Sequence, residues 1–100
     1  MTVRRIETSR EALADFDAIY DSIAKDNSRA AAGVLRSLDQ AIRRLVAQPK
    51  LGRVYRHGNH RLRLLIHRPY VVFYRDRPGV ISLVRVLDGR RNIPDLLDEL

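Results

Sequence analysis

Along the first half of the chain apolar residues recur three and four positions apart, the spacing that places them on one side of an α-helix. Ala12, Leu13, Phe16, Ile19, Tyr20, Ile23 and Ala24 form one such stripe, with Asp15, Asp17 and Asp21 around the rest of the turn. Ala31, Val34, Leu35, Leu38, Ile42 and Leu45 form a second. Thr8-Ser9-Arg10-Glu11 has the form of a capping box, with Thr8 accepting from a first-turn amide and Glu11 reaching back. Asp26-Asn27-Ser28 breaks the two stripes and offers cap chemistry to the second helix, which is predicted to stop near Ala47, before Pro49. A link of about three residues leaves two amphipathic helices no arrangement other than an antiparallel hairpin.

After Pro49 the period changes from helix to strand. Arg61 to Ile66, Tyr70 to Tyr74 and Val80 to Leu87 are β-branched and aromatic runs, joined at His67-Arg68-Pro69 and at Asp76-Arg77-Pro78-Gly79. Leu62, Leu64 and Ile66 alternate with Arg61 and Arg63, which predicts a strand with a packed side and a basic side. Val3 to Glu7 is a further short strand candidate, and Asp95 to Leu100 is either a short terminal helix or a loose tail. The expected fold class is α+β over residues 1–100 as one domain. An N-terminal strand leads into an antiparallel two-helix hairpin, which packs on a small, mainly antiparallel β-sheet. A chain of 100 residues suits one core better than two.

Composition narrows the chemistry. With no cysteine there is neither a disulfide framework nor a thiolate metal site, and His57, His60 and His67 lack acidic companions at ligand spacing, so no metal and no cofactor are expected. No stretch of about 18 apolar residues occurs, and Met1 to Arg10 carries arginines in place of an apolar run, so the expectation is a cytoplasmic protein without a membrane partner. The net charge of +7 is uneven: residues 51–91 hold ten arginines against Asp76 and Asp88 alone. Such a surface seeks an acidic or polyanionic partner, and guanidinium is the better bidentate group for phosphate or carboxylate.

The arginines Arg53, Arg56, Arg61, Arg63, Arg85, Arg90 and Arg91 are the constellation that could converge into a pocket. Arg85 interrupts Leu83-Val84-Arg85-Val86-Leu87, and a charge among apolar neighbours needs either a partner, with Asp88, Asp39 or a group on another protein as the choices, or a functional groove. If strand register allows, Arg61, Arg63, Arg85 and Arg91 share one face. Tyr70 and Tyr74 fall on one strand face with Val72 and suit core packing; nucleotide stacking or partner binding is the alternative. Tyr55, His57 and His60 are placed in a polar loop around Gly58-Asn59. No nucleophilic triad, paired carboxylate site or phosphate-cradling glycine loop is present.

Four words in order resemble the RelE/ParE toxin superfamily over nearly the whole chain. Ala12 to Ile23 (ALADFDAIYDSI) is similar to its first helix, and Leu45 to Arg53 (LVAQPKLGR) to the stop after its second. Tyr70 to Arg75 (YVVFYR) is similar to its central strand, and Val86 to Asn92 (VLDGRRN) to its closing segment. The resemblance implies a bacterial toxin neutralised by a cognate antitoxin, commonly a ribbon-helix-helix, ParD-like protein with an acidic tail, which reaches operator DNA on behalf of the pair. Arg53, Arg56 and Tyr74 are candidates for antitoxin contact; Arg61, Arg63, Tyr70, Arg85, Arg90 and Arg91 form the candidate functional groove.

The superfamily divides into RelE-like members, which cut messenger RNA on the ribosome, and ParE-like members, which poison DNA gyrase and are associated with plasmid stabilisation. Val71 stands where the cutters place an arginine, Leu97 where they place a tyrosine and Asp88 where some carry a histidine. Only Arg91 matches a catalytic arginine of theirs. Cutting needs proton carriers as well as cations. The sequence therefore favours a ParE-like gyrase poison, with an RNA interferase or an inactive toxin that retains antitoxin binding as alternatives.

Overall fold

A computed structural model describes residues 4–100. The order is β1 (Arg5–Thr8), α1 (Arg10–Ala24), α2 (Ser28–Ala47), β2 (Arg53–His57), β3 (His60–His67), β4 (Tyr70–Arg77), β5 (Val80–Asp88) and α3 (Ile93–Leu97). The fold is α+β. Five strands form one sheet in the order β1-β5-β4-β3-β2, antiparallel except that β1 runs parallel to β5. Of the first strand expected from Val3, the described part is β1, and Val3 itself lies outside the described residues.

The helix cap differs from the capping box. Thr8 is the last residue of β1, paired with Leu83, so its backbone is committed to the sheet. Ser9 caps α1 instead, accepting from the Ala12 amide at 3.0 Å while its hydroxyl donates to the Val84 carbonyl at 2.8 Å. Asn27 caps α2 as its side chain permits, accepting from the Ala30 amide.

Each face of the sheet carries its own apolar cluster. Leu38, Ile42 and Leu45 of α2 and Ala12 of α1 pack on Val72, Tyr74, Ile81, Leu83 and Val86. On the opposite face Leu62, Leu64, Phe73, Val84 and Leu87 are covered by Leu97 of α3. The packed side of β3 thus faces α3, not the helical hairpin, and Ile66 at its end is 50% exposed. Leu83 and Val86 share a face although three residues apart, because the register shifts between Phe73↔Arg85 and Tyr74↔Leu83 and leaves Val84 as an extra residue. That bulge re-aims the middle of β5.

The structure also contains a strand that the sequence reading placed in a loop. Tyr55 lies in β2, edge to face with Phe73 at 5.2 Å between ring centres, and His57 pairs directly with His60 across the turn. Gly58 holds φ +57° there, a conformation that glycine adopts freely.

Candidate functional site

β1 covers β5 only from Val80 to Leu83, and past that point α1 crosses the bare edge. Asp15 accepts the Val86 amide at 2.9 Å, closing the exposed ladder, and binds the Arg85 guanidinium through Nε at 2.8 Å and Nη2 at 2.9 Å. The remaining Nη1 donates to the Leu96 carbonyl at 3.2 Å. The Asp15 hydrogen bond holds the guanidinium above its ordinary pKa, against the opposing effect of burial. Arg85 is 9% exposed and joins α1, β5 and α3. Its partner is Asp15, which was not among the choices suggested by sequence, and its fork is spent inside the protein. The expectation that Arg85 shares an open face with Arg61, Arg63 and Arg91 is therefore corrected.

A second polar knot fixes the segment between α2 and β2. The Tyr74 hydroxyl donates to the Pro49 carbonyl at 2.7 Å and accepts from the Gly52 amide at 2.9 Å, while Arg63 Nη1 donates to the Gly52 carbonyl at 2.7 Å. Burial pushes the Tyr74 hydroxyl up from its ordinary value. A Cβ on Gly52 would stand 2.7 Å from that hydroxyl and 2.8 Å from the Leu64 carbonyl, which is why glycine occupies the position. Tyr74 has no exposed surface, so it is excluded as a direct antitoxin contact. Arg53, Arg56 and Arg61 remain exposed on β2 and β3.

Tyr70, Arg90 and Arg91 gather at the other end of the sheet, where Tyr70 pairs with both His67 and Asp88. The Asp88 carboxylate accepts from the Arg90 amide at 2.9 Å, from Nε at 3.0 Å and from Nη2 at 2.6 Å. Those bonds from Arg90, side chain first, bring the Asp88 carboxyl down to about 2. Burial, then the Asp88 charge, push the Tyr70 hydroxyl up. Tyr70 stands between two hollows: one of about 180 Å³ lined also by Asp15, Ser22 and Arg91, the other by Ile66, Arg68 and Arg90. Arg61 is six residues from His67 along β3, so roughly 20 Å separates the two ends. The candidate groove is thereby split into an arginine ribbon, an internal pair at Arg85 and a Tyr70–Arg90–Arg91 end.

A further concavity was not anticipated. A groove of about 710 Å³ opens between α2 and the outer edge of β1, floored by Ile6, Phe16, Leu35, Ile42 and Val46. Arg4, Arg5, Arg43 and Asp39 form its rim. The signal available in sequence was an excess of apolar positions on the helical stripes over what a four-residue strand can cover.

A profile of the family described as "ParE toxin of type II toxin-antitoxin system, parDE" matches residues 6–93. The chain belongs to this ParE toxin family. It is 29% identical over 90 residues to Toxin ParE3 of Caulobacter vibrioides, covering 89% of this chain and 90% of that one. It also superimposes with a TM-score of 0.73 on a structure titled "Chromosomal ParDE TA system from P. aeruginosa", at 24% identity, covering 88% of this chain and 98% of the other. That second likeness bears on the fold. As a ParE-family toxin of a type II system, the chain belongs with an antitoxin partner.

The histidines of this ParE-family chain are occupied locally. His57 meets Asp98 at 2.7 Å, His67 meets Ser37 at 2.8 Å, and His60 contacts Arg75 at 3.1 Å. Among the described residues no group of three histidine, aspartate or glutamate side chains could hold a metal ion, and no helix is long and apolar enough to cross a membrane.

Proposed function

We propose that the chain acts in the cytoplasm as a ParE-like poison of DNA gyrase and is neutralised by a ParD-like antitoxin carrying a ribbon-helix-helix part. The observation that supports this over messenger RNA cleavage is the dispersal of the arginines. A phosphodiester-cleaving centre needs cations and proton carriers within hydrogen-bond reach of one scissile phosphate. Here Arg61 and Arg91 lie at opposite ends of the sheet and Arg85 is tied to Asp15 inside it. The target-facing surface in this reading is the Tyr70–Arg90–Arg91 end. Half-buried tyrosine, exposed arginine and the exposed Ile66 beside it are the residue types that anchor protein interfaces.

The antitoxin tail in this reading lies in the groove between α2 and β1. An amphipathic segment finds apolar floor for one face and Arg4, Arg5 and Arg43 for acidic groups on the other. Incubation of the purified chain with gyrase, ATP and supercoiled plasmid, beside ribosomes translating a defined message, tests the proposal. Linear plasmid with intact message is the expected result; cut message with untouched plasmid would overturn it.

A further inference from the structure

Several arginines of the chain meet carboxylates, and one cross-strand pair faces each other without any. Arg4 meets Asp76, Arg5 meets Glu7, Arg85 meets Asp15 and Arg90 meets Asp88. Arg56 of β2, by contrast, sits directly across from Arg61 of β3, both are exposed, and neither meets a carboxylate among the described residues. Like charges directly opposite in a ladder oppose the fold. Residues 53–68 contain no aspartate or glutamate that could relieve them. Arg63 lies next along the same face, and Arg53 lies on the other, in register with Leu64.

The ladder between β3 and β4 begins at Arg63↔Tyr74, so Tyr55↔Leu62, Arg56↔Arg61 and His57↔His60 pair only with each other. The result is a short two-stranded ribbon ending in the small turn Gly58-Asn59, with Arg56 and Arg61 on its exposed face and a packed face where Leu62 is buried, Tyr55 meets Phe73 and His57 meets Asp98. We infer that this ribbon binds the phosphate backbone of duplex DNA directly, independently of sequence and of the gyrase reading. This contact is distinct from operator recognition, which remains with the antitoxin.

Shape and charge favour duplex DNA over an acidic peptide. Peptide recognition relies on side chains anchored in pockets, and none of the hollows described above is lined by Arg53, Arg56, Arg61 or Arg63. A polyanion of regular charge needs no such pocket. With its other face packed on the protein, the ribbon lays its exposed basic face along the regularly spaced phosphates and need not enter a groove. Arg56 and Arg61, about 5 Å apart across the ladder, reach neighbouring phosphates, and Arg63, with Nη1 held by the Gly52 carbonyl, adds charge beside them.

The test is fluorescence anisotropy of the purified chain with a labelled duplex of arbitrary sequence, measured over a salt series. The inference expects binding at low salt whose logarithm falls with log salt at a slope of about −3, the value for about three phosphates contacted. Arg56→Gln with Arg61→Gln should weaken binding about tenfold and flatten the slope by about two, without lowering the melting temperature. Arg61→Gln alone should flatten it by about one. Arg29→Gln with Arg36→Gln, which removes the same charge from exposed positions on α2, should change little. Absence of duplex binding at low salt, an equal loss in the α2 variant, stronger binding to single-stranded RNA, or displacement of the duplex by polyglutamate at matched charge would each overturn the inference.

Discussion

Arg85 and Arg61 look alike on paper and end in opposite circumstances. Each stands inside a strand next to aliphatic residues, in Val84-Arg85-Val86 and in Arg61-Leu62-Arg63-Leu64. At Arg85 the bulge in β5 and the short reach of β1 bring Asp15 of α1 against the guanidinium from 70 residues away. At Arg61 the nearest strand offers Arg56, and both side chains remain exposed. The comparison teaches that a mid-strand arginine is structural or available according to what the tertiary fold delivers beside it. Alternation along its own strand does not decide the matter.

The strongest way to break that comparison is to remove the acid. Asp15→Ala strands a guanidinium that is 11% exposed and the Val86 amide together, and should cost about 3–5 kcal/mol in urea unfolding, as loss of one partner of a buried pair does. A loss under about 1 kcal/mol would move Arg85 to the side of Arg61. Tyr74→Phe comes next. It leaves the Pro49 carbonyl and Gly52 amide without the hydroxyl and should lower stability by about 1–3 kcal/mol.

Asp88→Asn sharpens the comparison through pH. The Asp88 carboxyl lies at about 2 in the folded chain against an ordinary 3.8, so its contribution is complete above pH 4 and is lost as pH falls toward 2. Because Arg90 is 80% exposed, that contribution is on the order of 1 kcal/mol or less. The variant should flatten the corresponding part of the stability profile between pH 4 and 2. The smallest effect is expected on the ribbon. Arg56→Gln should leave the unfolding midpoint unchanged or raise stability by less than about 1 kcal/mol, since it removes a repulsion. A clear destabilisation would mean that Arg56 has a structural partner after all.

Much of the fold was legible because it is written in local periodicity. The stripes from Ala12 to Ala24 and Ala31 to Leu45, the break at Asn27 and three of the strands follow from spacing alone. β2 escaped notice because Arg53, Arg56 and His57 give it a polar look, and its partner strand supplies most of the apolar surface it packs with. The available signal was the Gly58-Asn59 pair between two runs of alternating character, a hairpin connection. The site was less legible. Tyr70, Arg90 and Arg91 meet at one end of the sheet, but the fate of Arg85 depends on a bulge, and the α2–β1 groove on where β1 stops. Neither is encoded in a short window of residues.

The sorting of arginines by partner is tested most directly by replacing the internal pair with uncharged side chains, Asp15→Asn with Arg85→Met, and measuring gyrase-dependent plasmid linearisation alongside the melting curve. An internal ion pair can be exchanged for uncharged groups of similar volume with its stability largely retained, and the asparagine oxygen keeps an acceptor for the Val86 amide. The account predicts a variant that still melts cooperatively and linearises plasmid as the natural chain does. A variant that melts like the natural chain yet no longer linearises plasmid would contradict it and return Arg85 to the functional surface.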